Sequence, residues 1–531
     1  MKIKLLIIVF IITLLSTNCT SVKKYNSHID SQISVDDLQT DIDYVERKLN
    51  KLHPSLDWYI SKEDLAKKFD SLRNSIQKPM KPNEFYMAIS PVVASVKQGH
   101  MGIIPLIKKV EKKENKALNK KGKLPLQLMK FKFVNNELLL YKNFSKDTLL
   151  KLGSKIISVN DVNPKELFEK YRKSYTSDGL NTTFIPYAFA DRFSTYFLKE
   201  NEVKDSLRIK FSYKDSIYER TIARVGLKKA DSIKEGKKEK VAVKQLTKEE
   251  KIVQKAKNKK ENLRKKLFLF DETSKEFTRE LKYIPADSSI VVLKISGFQH
   301  TKHKKAYDSI FNEIKHKKVE TLILDLRNNG GGSLAEIHNL YGYLTPDSYR
   351  FIDAPKVMNR TGVATNKLRN LPKVGMVILS PFLLYTTAKQ IINTRKDESG
   401  NFYLKTKESK ITEPKQNRFD GKLYVLINGR SFSASCILSS NLKGSKRAFF
   451  VGEETGGTYN GTVAGTMPIL TLPNSKLPFR IGLQDIRPYH KTEEFGRGIM
   501  PDKEIIPTIE QIENNEDPEL EWILQDIAHK K

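Results

Sequence analysis

Three serines crowd into the five positions from Ser431 to Ser435 of GRSFSASCIL, directly after the apolar run LYVLIN. A serine hydroxyl is a weak nucleophile until a base takes its proton. At the start of a helix it also meets free backbone N–H groups and the positive end of the helix dipole, which stabilise a developing negative charge. The run reads as a buried strand ending at Asn428-Gly429, a short turn, and a helix that begins near Ser433. Taken alone, it reads first as a helix whose opening turn is merely capped by Ser433 or Ser431.

A second stretch, TLILDLRNNGGGSLAEI from Thr321 to Ile337, runs from a strand through Gly330, Gly331 and Gly332 into a helix. Without Cβ atoms the backbone can approach a ligand closely, and its N–H groups can converge on an oxyanion, as acyl transfer requires. A phosphate loop is the rival, but the sequence carries neither GKS/T nor GxGxxG. FVGEETGGTYNGTVAG and EEFGRGIMPDKEI add two further glycine-bearing loops. The nine histidines show no HExxH spacing and the two cysteines cannot build a zinc site, so no metal or cofactor is expected.

In this order the four stretches resemble those of the C-terminal processing (tail-specific) serine peptidases and the related tricorn-core peptidases, over about residues 280 to 510. The resemblance implies a crotonase-like α/β catalytic domain that hydrolyses peptide bonds of a polypeptide substrate, often near protein C-termini. It places the nucleophile on Ser433, the first serine of the family's Ser-Ala-Ser-Glu stretch, with Ala434 and Gly331 offering N–H groups to the oxyanion. Cys436 stands where the family has the glutamate. The better-known branch uses a lysine as base, but Thr458 lies near that slot, Ala464 replaces the glutamine, and no lysine occurs from Val451 to Asn474. The tricorn-like branch takes a histidine from before a PDZ-like insert and a glutamate from near a Pro-Asp motif. KQGHMG supplies His100, whose near-neutral ordinary pKa suits proton transfer. Glu494 is then the carboxylate expected to orient it, with Glu493 and Asp502 as alternatives. His490, in the same segment, is a competing base.

These residues need a scaffold to bring them together. Strand-like runs SIVVLKIS, VETLILDLR, VGMVILS, KLYVLING and AFFVGEE alternate with helical patterns, which predicts an α/β domain with a largely parallel sheet over residues 271–515. VDDLQTDIDYVERKLNKL and EDLAKKFDSLRNSI repeat apolar residues at helical spacing behind the N-caps Ser34 and Ser61, predicting a helical module over 30–115. Short β-rich runs around LKLGSKIISVNDVN predict a small PDZ-like domain over 120–226. Residues 228–270 read as a lysine-rich linker or excursion, with 16 Lys/Arg against 6 Asp/Glu from Lys228 to Lys266.

Lys2 and Lys4 precede the apolar run Leu5–Leu15, too short to span a membrane, so residues 1–22 read as a signal peptide with a lipidation candidate at Cys19. Export to a bacterial cell envelope follows, in the periplasm or attached to a membrane by a lipid anchor. With Cys19 removed or acylated, Cys436 has no disulfide partner. The chain of 531 residues is long enough for several domains. Its net charge of +32 is spread along the sequence without a zinc finger, recognition-helix pattern or RNA-binding motif, so no nucleic-acid partner is expected. Two other function classes remain open on sequence: a peptide- or glycan-binding lipoprotein that keeps the fold without turnover, and a polyanion-binding protein working through the lysine-rich segment.

Overall fold

Two parallel strands form the centre of the fold. The computed structural model describes residues 21–145, 147–201, 205–225, 248–272, 275–299, 302–367, 369 and 379–530. Within it Thr321–Asp325 and Lys422–Ile427 lie side by side, from Thr321 opposite Lys422 to Asp325 opposite Leu426. They occupy the middle of a six-stranded sheet in the order Lys503–Glu504, Phe449–Gly452, Lys422–Ile427, Thr321–Asp325, Asp287–Ile295, Arg279–Ile284. All neighbours are parallel except the last two, which form a hairpin. The central strands are near-continuous apolar runs because both faces are covered. Leu322, Leu324, Val425 and Ile427 pack with Ile310, Ile337 and Leu438 of the helices His303–His316, Leu334–Tyr341 and Ala434–Gly444. Ile323, Tyr424 and Leu426 point the other way, onto Ile523 and Ile527 of the helix Pro518–His529, which lies beyond the boundary expected at 515.

The helices Val35–Leu52, Lys62–Ser75 and Pro82–Ala94 precede this sheet. Ser34 and Ser61 cap the first two, their hydroxyls accepting the N–H groups of Asp37 at 3.2 Å and Asp64 at 3.0 Å. Leu38, Ile42, Phe69, Phe85 and Ile89 share one core with Leu470, Leu477 and Phe479 from far along the chain. The stitch is a short strand, Gly102–Ile103, which follows the third helix and pairs antiparallel with Pro478–Arg480.

Between these parts, Met129–Val134, Glu137–Asn143, Lys155–Val159, Ser206–Tyr213 and Ser216–Ala223 form a five-stranded sheet, antiparallel in chain order. The helices Pro164–Tyr171 and Phe184–Glu200 interrupt it after the third strand. Phe189 and Phe193 of the second helix pack on Phe131 and Phe133. In the lysine-rich stretch, residues 226–247 lie outside the described residues, and Lys248–Phe268 is a mostly exposed helix. Residues 374–378 of VGMVILS also lie outside them, and the following residues open a helix, Ser380–Asn393. Residues 1–20, with the signal-peptide reading and Cys19, lie outside as well.

Candidate active site

The central strands end together, and their following loops interlock. Leu326 N–H donates to Leu426 O at 2.9 Å, Asn328 N–H to Asn428 Oδ1 at 3.0 Å, and Phe432 N–H to Asn329 O at 3.1 Å. Loops beyond the carboxyl ends of adjacent parallel strands are where open α/β sheets hold ligands.

The three serines of the second loop have separate fates. Ser431 is fully buried, its hydroxyl donating to Leu326 O at 2.8 Å and accepting from Asn428 N–H at 3.1 Å. Ser435, also buried, donates to Asn329 O at 2.8 Å. Both are fastenings between the loops. Ser433 is half-buried at the N-terminus of Ala434–Gly444, with φ 57° and ψ −116°. That backbone conformation is costly for a residue with a Cβ and is tolerated where surrounding packing enforces it. It leaves the Ser433 hydroxyl facing His100, whose Nε2 lies 2.8 Å from Ser433 Oγ.

His100 comes from the turn after Pro82–Ala94, 333 residues earlier in the chain. Its ring meets Phe432 edge-on at 5.4 Å, and Phe432 stacks on Phe184 at 4.2 Å. A Cβ on Gly99 would come within 2.3 Å of the Phe432 ring, so the absence of one lets the histidine loop approach the serine loop. Burial pushes the His100 imidazole down to about 4, and the guanidinium of Arg480, on the strand paired with Gly102, adds to the shift.

Of the two expected oxyanion donors, Ala434 N–H has no hydrogen-bond partner among the described residues. Gly331 is adjacent: a Cβ there, at φ 98°, would lie 2.7 Å from Ser433 Cβ and 2.8 Å from Ala434 N. Its own N–H, however, already donates to Asn329 Oδ1 at 2.9 Å, while Asn329 Nδ2 is fastened to Ile295 O at 2.8 Å. The glycine thus lies against Ser433 with its amide already bonded.

The expected carboxylates lie elsewhere. Glu494 is exposed, its N–H donating to Thr492 Oγ1 at 3.2 Å, and among the described residues no hydrogen bond joins it to His100. Glu493 is exposed beside it. The cause lies in the anchoring of the segment. Arg497 grips the buried Glu454 through two bonds, of 3.0 and 2.7 Å, and Gly498 N–H adds a third at 2.7 Å, so the loop is tied to 454. Asp502 pairs with Lys443 and accepts Phe450 N–H at 2.8 Å, a structural role. His490 packs by Gly444, at the far end of the helix that Ser433 opens, about 15 Å away at 1.5 Å per residue. Thr458, near the lysine slot, donates to Gly461 O at 2.6 Å. Cys436 is buried, its thiol donating to Ser431 O at 3.3 Å and pushed up to about 12 by burial.

Sequence reasoning passed over three residues of this site. Asn329 stands out in the sequence only as part of a glycine loop, while Arg480 and Asp178, a buried acid bonded to Gly99, carry no pattern at all.

Residues 289–505 match the model of peptidase family S41. That segment is an S41 peptidase domain. It holds Ser433, Ala434 and the glycine loop, while His100 lies outside it. Among solved structures, mature CPAF aligns over 90% of this chain and 94% of its own, at 13% identity and a TM-score of 0.55. Mature CPAF complexed with lactacystin aligns over 90% and 95%, at 14% identity and 0.56. At such identity the likeness is one of fold, and it extends beyond the S41 segment to nearly the whole chain. No curated protein matches the sequence. Together the mixed α/β fold and the S41 domain support a serine peptidase in general terms.

Proposed function

We propose that this chain is an exported serine peptidase in which Ser433 is the nucleophile and His100 the general base. The observation that carries the reading is the 2.8 Å contact between Ser433 Oγ and His100 Nε2 at a helix N-terminus, with the two neighbouring serines committed to backbone carbonyls. Ser433 Oγ attacks the scissile carbonyl while its proton passes to His100 Nε2. The carbonyl oxygen becomes an oxyanion and is met by Ala434 N–H at the positive end of the helix. Gly331 N–H joins only by leaving Asn329. His100 then gives its proton to the departing amine, and water, activated by the same imidazole, releases the acyl group from Ser433.

The α/β unit is read as crotonase-like and the five-stranded sheet as PDZ-like. Ser216–Ala223 is an edge strand and mostly exposed, which suits peptide binding by strand addition. A cavity of about 560 Å³ opens between this sheet and the catalytic loops, lined among others by Lys132, Tyr141, Tyr187, Asn328 and Arg430, and could seat the polypeptide beside the glycine loop. Attachment to a cell envelope through Cys19 rests on the N-terminal sequence.

The test is hydrolysis of unfolded polypeptides of defined ends, with products sequenced by mass spectrometry. Cuts confined to the last residues mean carboxy-terminal processing, and internal cuts mean an endopeptidase. Tight peptide binding with no products, unaltered by Ser433→Ala, would favour the non-hydrolytic binding lipoprotein instead.

A further inference from the structure

The loop that presents His100 is held by a strap from the β-rich part of the chain. Thr176–Thr183 (TSDGLNTT) connects the two helices that interrupt the five-stranded sheet. Thr176 Oγ1 donates to Met101 O at 2.6 Å, Gly179 N–H donates to Lys97 O at 3.0 Å, and Asp178 Oδ1 accepts Gly99 N–H at 2.7 Å. These bonds grip the chain on both sides of His100. Further along, Leu180 N–H donates to Gly496 O at 2.7 Å, and Asn181 Nδ2 donates to Thr455 O at 3.1 Å. One strap thus ties the base's loop to the loops on the serine's side of the site.

Asp178 is the unusual member. It is fully buried, and its second oxygen, Oδ2, has no hydrogen-bond partner. A buried acid with one oxygen unsatisfied is costly, and the bond to Gly99 does not require it, because an asparagine oxygen would accept that N–H as well. His100 lacks what such an acid supplies. Among the described residues no carboxylate accepts from its ring, and the nearby guanidinium of Arg480 opposes the imidazolium that forms when Ser433 gives up its proton. In a buried site a negative charge fixed next to the histidine's own loop offsets that cation.

We propose that Asp178 is the positioning carboxylate of His100, holding the imidazole's loop through the Gly99 amide and supplying, when ionised, the buried negative charge that the imidazolium needs. The proposal rests on the reading of Ser433 and His100 as nucleophile and base. The titratable groups that feel the charge of Asp178 are Tyr59 and Cys436, with Asp485 and Arg487 around Tyr59, and Arg480 beside His100. Burial raises both the Tyr59 phenol and the Cys436 thiol, so neither is charged at neutral pH. Burial also pushes Asp178 up to about 7; the Gly99 amide and, without reaching full hydrogen-bond geometry, the Thr462 hydroxyl pull it down. The active form, His100 neutral with Asp178 ionised, is therefore filled as pH rises through that value.

The experiment is the rate of covalent labelling of Ser433 by a fluorophosphonate between pH 4 and 9, on the full chain and its variants, with thermal unfolding alongside. The wild type is expected to climb through a limb near 7. Asp178→Asn keeps the acceptor for Gly99 but loses that limb, and its plateau falls by about tenfold or more. Thr462→Val leaves Asp178 and Gly99 in place, removes a group that lowers the acid's pKa, and moves the limb to higher pH. An Asp178→Asn profile that keeps the limb and stays within about twofold of wild type would overturn the proposal. Should Asp178→Asn not fold, an unmoved limb in Thr462→Val overturns it. A wild type that never labels brings down the nucleophile reading itself, whereas a labelling wild type with unmoved limbs brings down only the role of Asp178.

Discussion

The serine and the histidine meet at 2.8 Å, yet the regions that deliver them are built differently. Ser433 is delivered by one continuous piece of chain. A strand apolar after its first residue, a tight turn and a helix follow each other within 23 residues, and the adjacent parallel strand supplies the glycine loop that packs against them. His100 is delivered by assembly. Its loop follows a helix of the N-terminal bundle, pairs with Pro478–Arg480 from beyond the catalytic loops, and is gripped by Thr176–Thr183 from the β-rich region. The serine side thus depends on local folding, and the histidine side on three distant segments being in place at once.

That contrast can be broken by removing either partner of the contact. Ser433→Ala and His100→Ala should each lower hydrolysis by about four orders of magnitude or more, with thermal stability little changed, as measured by turnover of a cleaved peptide and a melting scan. Comparable losses would show the two halves acting as a unit. Gly99→Ala comes next. Its Cβ must displace the Phe432 ring, and overpacking of this kind costs about 1–3 kcal/mol. Because the displaced ring packs edge-on against His100 and belongs to the residue before Ser433, labelling of Ser433 should slow along with the loss of stability. Ser431→Ala sharpens the comparison from the other side. It leaves the buried Asn428 amide without its partner, while Leu326 O keeps Asn329 N–H, costing about 1–3 kcal/mol in denaturant unfolding, and Ser433 should still label.

The smallest effect is one of pH. His100 is held down to about 4 and His53 to about 3 by burial, so the folded state takes up fewer protons than the unfolded chain below the ordinary histidine value of about 6.5. The stability they contribute is present above that value and is lost as pH falls toward 4 and then 3. Asp178 acts with the opposite sign. Its raised value favours the folded state below the ordinary carboxylate range, and the contribution fades as pH rises to about 7. Melting temperature followed from pH 3 to 8 should therefore fall in acid less steeply in His100→Ala than in the wild type.

Legibility in the sequence divides along the same line. The strand, turn and helix around Ser433 could be read because hydrophobic runs, glycines and helix starts are local signals, and the caps at Ser34 and Ser61 were read for the same reason. His100 stands out only through the resemblance to a family pattern, since nothing within KQGHMG points to a serine 333 residues away. Glu494 was chosen by proximity to the Pro-Asp motif. Its loop is instead tied to Glu454 by Arg497, a long-range pairing that no spacing rule reveals. Asp178 was invisible for the opposite reason: TSDGLNTT has the composition of an ordinary turn, and the acid gains its character from burial and from the Gly99 amide. Gly331 shows that a glycine run does not reveal where its amides point, because the Asn329 side chain two residues away holds its N–H.

The central claim, that His100 activates Ser433 across these two differently built regions, is tested most directly by fluorophosphonate labelling of the full chain, mapped by peptide mass spectrometry in wild type, His100→Ala and Ser433→Ala. A single modified residue, Ser433, is expected, with labelling lost in Ser433→Ala and slowed by at least about a thousandfold in His100→Ala. Labelling of Ser433 that proceeds unchanged without His100, or modification at Ser431 or Ser435 in its place, would contradict it.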